Sequence, residues 1–255
     1  MTGRLETSLL AKRAAGRKLL VPYITGGFPG WERAVEAAAH AGADAIEIGI
    51  PFSDPVMDGP VIQEASQKAL DGGATPIGIL HTVANLDIDI PLAVMCYYNT
   101  VFRMGHERFA AELITASISA AIVPDLPLEE SGEWCAAADA AGIETVMLAA
   151  PTAPDERLPR ICERARGFVY AVGLLGVTGE RASLAESAVT MARRLKAVTD
   201  RPVLVGVGVS NAAQAVQASA VADGVIMGAA VMRRMLDGGP DAVGAFVSEV
   251  RAALG

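Results

Sequence analysis

The sequence is poor in several features that would fix its class at once. Cysteine occurs only three times in 255 residues. Cys96, Cys135 and Cys162 are far apart and form no C-x-x-C, which argues against a disulfide framework and reads as reduced, cytosolic thiols. Histidine also occurs three times. His40, His81 and His106 share no ligand spacing, so no metal site is expected. Long apolar runs are missing too, despite a mean hydropathy of +0.37. The stretch LITASISAAIVP (113–124) is interrupted by Thr115, Ser117 and Ser119, and nothing reaches the ~20 residues a membrane-spanning helix needs. The opening MTGRLETSLLAKRAAGRKLL scatters charge through itself, so no secretory leader is expected. Basic residues are outnumbered, with a net charge of −8. That argues against nucleic acid or an anionic membrane as partner. It leaves room for a small phosphorylated ligand, which backbone amides hold without net positive charge. No linker, low-complexity tract or second composition regime appears, so residues 1–255 are read as a single domain.

What is present is an alternation. Short apolar runs, reading as strands, occur at 19–24, 44–50, 91–96, 120–125, 143–149, 167–172, 202–207 and 223–228. Several are apolar at nearly every position, as strands covered on both faces are. Between them lie helix-like stretches at 31–42, 61–73, 105–116, 129–142, 183–199 and 211–220, several ending in Gly. A helix at 2–15 precedes the first strand and is expected to close the bottom of the fold. The segment from Val231 to about Leu254 supplies the last helical layer. Eight strands alternating with helices over this length predict an α/β fold, a (β/α)8 TIM barrel with an extra N-terminal helix. The rival is an open doubly wound sheet. No G-x-G-x-x-G follows the first strand, which weakens its dinucleotide-binding form.

A barrel places its chemistry at the C-terminal strand ends and in the loops that follow. In the second strand Ala45, Glu47 and Gly49 alternate with Ile46, Ile48 and Ile50. The isoleucines suit the helical layer, which turns Glu47 into the lumen between two small residues. Desolvation there raises a carboxylate into the range useful for acid/base work. The alternative is a structural Glu paired with a buried donor. The loop PFSDPVMDGP then offers Asp58 as a second carboxylate, or as a solvated turn residue. Asp54 reads as a turn residue making an Asx bond, and Phe52 as rim packing. Glycine-rich ends follow the last three strands: GLLGVTGE (173–180), GVGVSNAAQ (206–214) and MGAAVMRRM (227–235). The second opens a helix at Ser210 or Asn211. Gly208 and Gly228 permit the close backbone approach a phosphate needs, and the plain alternative is tight turns alone. No Lys sits at the C-terminal end of a strand, which argues against a Schiff-base aldolase.

The stretches PYITGGFP, ADAIEIGIPFSDPVMDGPVIQEAS, MCYYN, IVPDLPLEES, GVTGER and VGVGVS together resemble the tryptophan synthase α subunit family, from about Leu19 to Met235. The resemblance implies a cytoplasmic lyase of tryptophan biosynthesis. It would cleave indole-3-glycerol phosphate to indole and glyceraldehyde 3-phosphate by a cofactor-free retro-aldol reaction. The position of Glu47 is the family's general acid/base, and that of Asp58 binds the indole N–H and stabilises positive charge on the ring. Tyr23, Tyr97 and Tyr170 match aromatic positions of the substrate pocket, Tyr23 standing where Phe is frequent. For Tyr97 and Tyr98, ordinary packing with a satisfied hydroxyl is the alternative. Asn99 lies beside them at the third strand's end. Thr178 matches the threonine of a loop that closes over substrate and touches the Asp58 position. Gly179, Gly208, Gly228 and Ala229 match the phosphate-binding backbone.

Three departures accompany the resemblance. Ala229 stands where Ser is common, Val207 where Phe is frequent, and Gly173-Leu174-Leu175 where polar residues are usual. The family also implies a pyridoxal-phosphate β subunit in an α2β2 heterotetramer, with NTVFRMGHER, read as the third-strand loop, and Asp54 on the docking side. The alternatives are a stand-alone indole-forming lyase and a non-catalytic barrel that activates a synthase.

Overall fold

The computed structural model describes residues 3–173, 186–206 and 208–255. The chain opens with α1 (Arg4–Ala14) and then alternates. In order come β1 (Leu19–Thr25), α2 (Trp31–His40), β2 (Ile46–Gly49), α3 (Pro60–Asp71), α4 (Pro76–Val83), β3 (Leu92–Met95), α5 (Tyr98–Met104), α6 (His106–Thr115) and β4 (Ala120–Ile122). They are followed by α7 (Gly132–Ala141), β5 (Glu144–Ala149), α8 (Leu158–Arg164), β6 (Val169–Ala171), α9 (Glu186–Lys196), β7 (Val203–Val205), α10 (Ala212–Ser219), β8 (Gly224–Met227) and α11 (Ala229–Leu254). Short 3-10 turns, Leu128–Glu130 and Asp155–Arg157, lead into α7 and α8. The eight strands form one closed parallel barrel, β1 pairing with both β2 and β8. This is the (β/α)8 architecture expected from the alternation.

All eight expected strands exist, most of them shorter at one or both ends than their apolar runs. Three helices were not anticipated: α4, α5 and α8. Each has only seven or eight residues, about two turns, which carries little periodic signal. The segment NTVFRMGHER is therefore not a loop. It is most of α5 and the start of α6, parted at Gly105, whose φ of 88° favours glycine. The last helical layer starts at Ala229 and is broken at Gly239 (φ 70°), just before Pro240.

Strand alternation sorts side chains into two cores. Ile46, Ile48 and Ile50 join the outer core against the helices. Leu19, Val21, Ala45, Ala93, Ala120, Ile122, Val146, Phe168, Leu204 and Ile226 fill the lumen, and Leu5 and Leu9 of α1 pack with them from below. The helix before β1 thus closes the bottom as expected. Buried carboxylates fasten that end. Glu144 accepts hydrogen bonds from the Leu5 and Glu6 amides at 2.7 and 2.8 Å, where a helix N-terminus favours negative charge. Glu6 pairs with Arg201 and accepts from the Gly167 amide. Asp44, at the foot of β2, accepts from the Leu20 amide at 2.8 Å and pairs with Lys12, Arg17 and Arg251. With the lower end so fixed, the upper end is available for chemistry.

Candidate active site

Glu47 lies in mid-barrel on β2, paired with Tyr23 on one side and Ala93 on the other. It faces the lumen, as the alternation predicts, and is 0% exposed. Among the described residues neither carboxylate oxygen has a hydrogen-bond partner, so none of them supplies the buried donor that a structural Glu would need. A charge in such surroundings is costly, so the group responds by holding its proton. Burial, aided by the charge of Asp58, pushes Glu47 up from 4.5 to about 8. Near neutral pH it is a carboxylic acid that can give up a proton and take one back.

Tyrosines gather around it. The Tyr23 ring crosses the face of β2, and its hydroxyl lies so close over Gly49 that a methyl group there would be 1.9 Å away. Tyr170, on β6, lies over Gly206 in the same way, and its hydroxyl donates to the Gly206 carbonyl at 3.4 Å. Glycine is needed at both positions because each ring occupies the space of a side chain. Burial raises both phenols well above their ordinary value, so they remain protonated donors. Tyr97 ends β3. Its hydroxyl accepts from the Met57 amide at 2.9 Å, and its ring stacks on Phe52 with centroids 5.0 Å apart. Burial pushes Tyr97 up to about 12.

Through Tyr97 the loop after β2 is tied to the start of α5, and this loop carries Asp58. Gln63 of α3 donates to the Asp58 carbonyl at 2.8 Å, fixing the loop at its other end. The Asp58 side chain is half-buried. Burial raises it as well, opposed by the Tyr97 hydroxyl. The two acids are therefore pushed in one direction, not in opposite ones. What separates them is enclosure: Glu47 is sealed, while Asp58 opens to solvent. Asp54 is exposed and accepts from the Ser53 hydroxyl at 2.5 Å. Among the described residues it makes no turn-closing Asx bond. Tyr98 is satisfied by packing, its hydroxyl 3.0 Å from His106 Nε2. Asn99 is exposed on α5, in a groove with Phe52, Ser53 and Arg103, outside the lumen.

On the other side of β1 from β2, α11 begins immediately after β8, with Gly228 as its N-cap and Ala229 as its first residue. The Met232 amide makes the first intrahelical bond, to the Gly228 carbonyl at 2.9 Å. The amides of Ala229, Ala230 and Val231 precede it and have no intrahelical acceptor, which makes an anion-binding helix end. Gly208 has φ 84°, a conformation that favours glycine. Asn211 caps α10 by accepting from the Gln214 amide at 2.9 Å, and Gln214 reaches back to the Ser210 amide at 2.8 Å, a reciprocal cap. Thr178, Gly179, Leu174, Leu175 and Val207 lie outside the described residues.

A family model described as tryptophan synthase alpha chain matches residues 9–246. The chain belongs to the tryptophan synthase alpha chain family. The tryptophan synthase alpha chain of Streptomyces coelicolor is 48% identical over 245 residues, spanning 94% of this chain and 90% of its own. That of Streptomyces avermitilis is 46% identical over 256 residues, 98% and 92% of the two chains. Among solved structures, Mycobacterium tuberculosis tryptophan synthase is similar with a TM-score of 0.92 at 37% identity, covering 100% of this chain and 99% of that one. Tryptophan synthase subunit alpha from Legionella pneumophila gives 0.90 at 30% identity, covering 100% and 99%. As a member of the alpha chain family the protein is a lyase of tryptophan biosynthesis.

One polar residue of this alpha-chain site escaped the sequence reading. Thr25 shares the lumen face of β1 with Tyr23 and pairs with Gly49. It is fully buried, and among the described residues its hydroxyl has no hydrogen-bond partner. Extending the alternation two residues beyond Tyr23 would have found it.

Proposed function

We propose that this lyase cleaves indole-3-glycerol phosphate to indole and glyceraldehyde 3-phosphate by a retro-aldol reaction, with Glu47 as general acid and base. The observation that carries the reading is the isolation of Glu47, a buried carboxyl with both oxygens unpartnered and a value raised to about 8. Indole C3 takes a proton from Glu47 as the ring becomes a cationic indolenine. The resulting carboxylate accepts the proton of the glycerol hydroxyl as the C–C bond breaks. The bonding electrons return to the ring and indole leaves. Asp58, at the half-open rim, receives the indole N–H and stabilises the ring's positive charge as an anion. Tyr23, Tyr97 and Tyr170 enclose the ring. The phosphate rests on the backbone of Gly208, Gly228 and Ala229, with Gly179 and Thr178 completing that side as the family pattern implies. Ala229 lends an amide but no hydroxyl.

The partner in this reading is a pyridoxal-phosphate β subunit, in an α2β2 assembly. Its docking side is the face of the Asp58 loop and α5. Val56 is 81% exposed and Phe102 66% exposed there, with Met57 half-covered between loop and solvent. Large apolar groups left open in this way mark an interaction surface. The cytoplasm is the proposed compartment, in keeping with three buried free cysteines. We also take 1–255 as one domain, since α1 and α11 close the same barrel. The test supplies indole-3-glycerol phosphate to the chain with and without a β subunit. Release of indole and glyceraldehyde 3-phosphate in equal amounts, faster with the β subunit, is expected. No cleavage under either condition overturns the reading.

A further inference from the structure

The lumen contains both halves of a hydrogen bond that is not made. Glu47 offers two buried oxygens without donors, and Thr25 a buried hydroxyl without a partner. Such groups are rare in folded proteins and call for an explanation. Below Glu47 none is found, because Val21 and Ala45 line the lumen there, and its own row holds Ala93 and Ala120. Above it, beside the apolar Met95 and Ile122, β1 brings two hydroxyl side chains, Tyr23 and Thr25. Gly49 is the next inward position on β2, about 6.6 Å along the strand. That is within reach of an extended glutamate side chain and one hydrogen bond. Over Gly49 lies the Tyr23 hydroxyl, and Thr25 is the register partner of Gly49 on β1. These two hydroxyls are neighbours that fall short of hydrogen-bond geometry with each other.

We propose that Tyr23 and Thr25 are positioning residues whose hydroxyls receive the Glu47 carboxylate above Gly49 once it has given up its proton. The inference rests on the acid/base role proposed for Glu47. In the acid form Glu47 needs no donor and stays where it is. On losing its proton it swings upward, toward the end of the barrel where the glycerol chain must lie, and the two hydroxyls hold it there as the base. They donate hydrogen bonds and transfer no proton. Gly49 is required as the seat of the Tyr23 ring, which brings the Tyr23 hydroxyl to the position above Glu47. The titratable groups facing Glu47 are Tyr23 from β1, Asp58 from the loop after β2 and Tyr170 from β6, with Tyr97 beside Asp58.

The test compares pH profiles of indole release by the αβ complex for wild type, Tyr23→Phe, Thr25→Val and Thr25→Ser. The same chains, without substrate, are followed by carbon-13 titration of the Glu47 carboxyl. Donors to a carboxylate favour its charged form, so removing one makes Glu47 hold its proton to higher pH. Tyr23→Phe is expected to move the alkaline limb and the carboxyl midpoint upward by about one unit. Thr25→Val should move both upward by less, and Thr25→Ser should leave both as in wild type. In Tyr23→Phe, kcat should fall while KM changes less than twofold, since the ring remains. Unmoved midpoints in Tyr23→Phe and Thr25→Val overturn the proposal, as does a Thr25→Ser profile that follows Thr25→Val. Failure of wild type to release indole overturns the reaction instead, and the carboxyl titration still decides the donor pair.

Discussion

Two buried glutamates of this barrel, one at the foot of β5 and one in mid-barrel on β2, stand under opposite conditions. Glu144, at the foot of β5, accepts two amides from the start of α1. Glu47, on β2, accepts no hydrogen bond from any described residue. Both are raised by burial, yet only one has its hydrogen bonds made. Glu144 joins a helix to the barrel and serves the fold. Glu47 is kept without partners among the described residues, as the acid/base role proposed for it requires. Residue type and burial are alike, and it is the presence or absence of fixed donors that divides structural work from chemical work.

The comparison can be broken by exchanging the consequences of the two residues. Glu47→Gln should lower the rate of indole release by about 10²–10⁴-fold, the usual worth of a positioned general acid/base. Thermal unfolding of the same variant should show no loss of stability. Leu5→Ala, in the plug that Glu144 helps to hold, should cost about 2–5 kcal/mol of stability by denaturant titration, since Leu5 is fully buried. Its kcat should remain near wild type below the transition. Glu144→Gln should cost about 1–3 kcal/mol by weakening the two amide contacts to α1, again with turnover largely retained. A Glu144→Gln variant that loses turnover while staying folded would erase the distinction.

A further effect is in the pH dependence of stability, and its sign is specific. Because the folded value of Glu47 lies above the unfolded one, the native state binds its proton more tightly between about pH 4.5 and 8. Stability conferred by that proton is full below the unfolded value and declines as pH rises through the window. Glu47→Gln lacks this decline. The difference in unfolding free energy between variant and wild type should therefore grow in the variant's favour from pH 5 to pH 8, and a difference that stays flat would contradict it.

The sequence made some parts of this architecture legible and hid others, for physical reasons. Glu47 was legible because a strand has period two, and Ile46, Ile48 and Ile50 left it only one face. The barrel was legible because its strands, covered on both sides, are nearly continuous apolar runs. The reciprocal cap of α10 was foreshadowed by Ser210 and Asn211. The Glu144 latch was not legible, because its partners are 138 and 139 residues away and no local pattern records them. α5 was hidden since its seven residues include an Asn and a Thr and end at a glycine, which reads as a loop. Thr25 was missed although the period that revealed Glu47 also points to it. Nor did the sequence show that Asp58 is pushed upward, an effect of enclosure by neighbours distant in the chain.

The central claim is that Glu47 is an isolated acid with its proton held to the edge of the working pH range. Its most direct test is carbon-13 titration of glutamate carboxyls in the free protein, with Glu47→Gln as the assigning control. A carboxyl that titrates near pH 8 and disappears in Glu47→Gln is the predicted result. A Glu47 signal titrating in the ordinary carboxylate range, near 4.5, would contradict it.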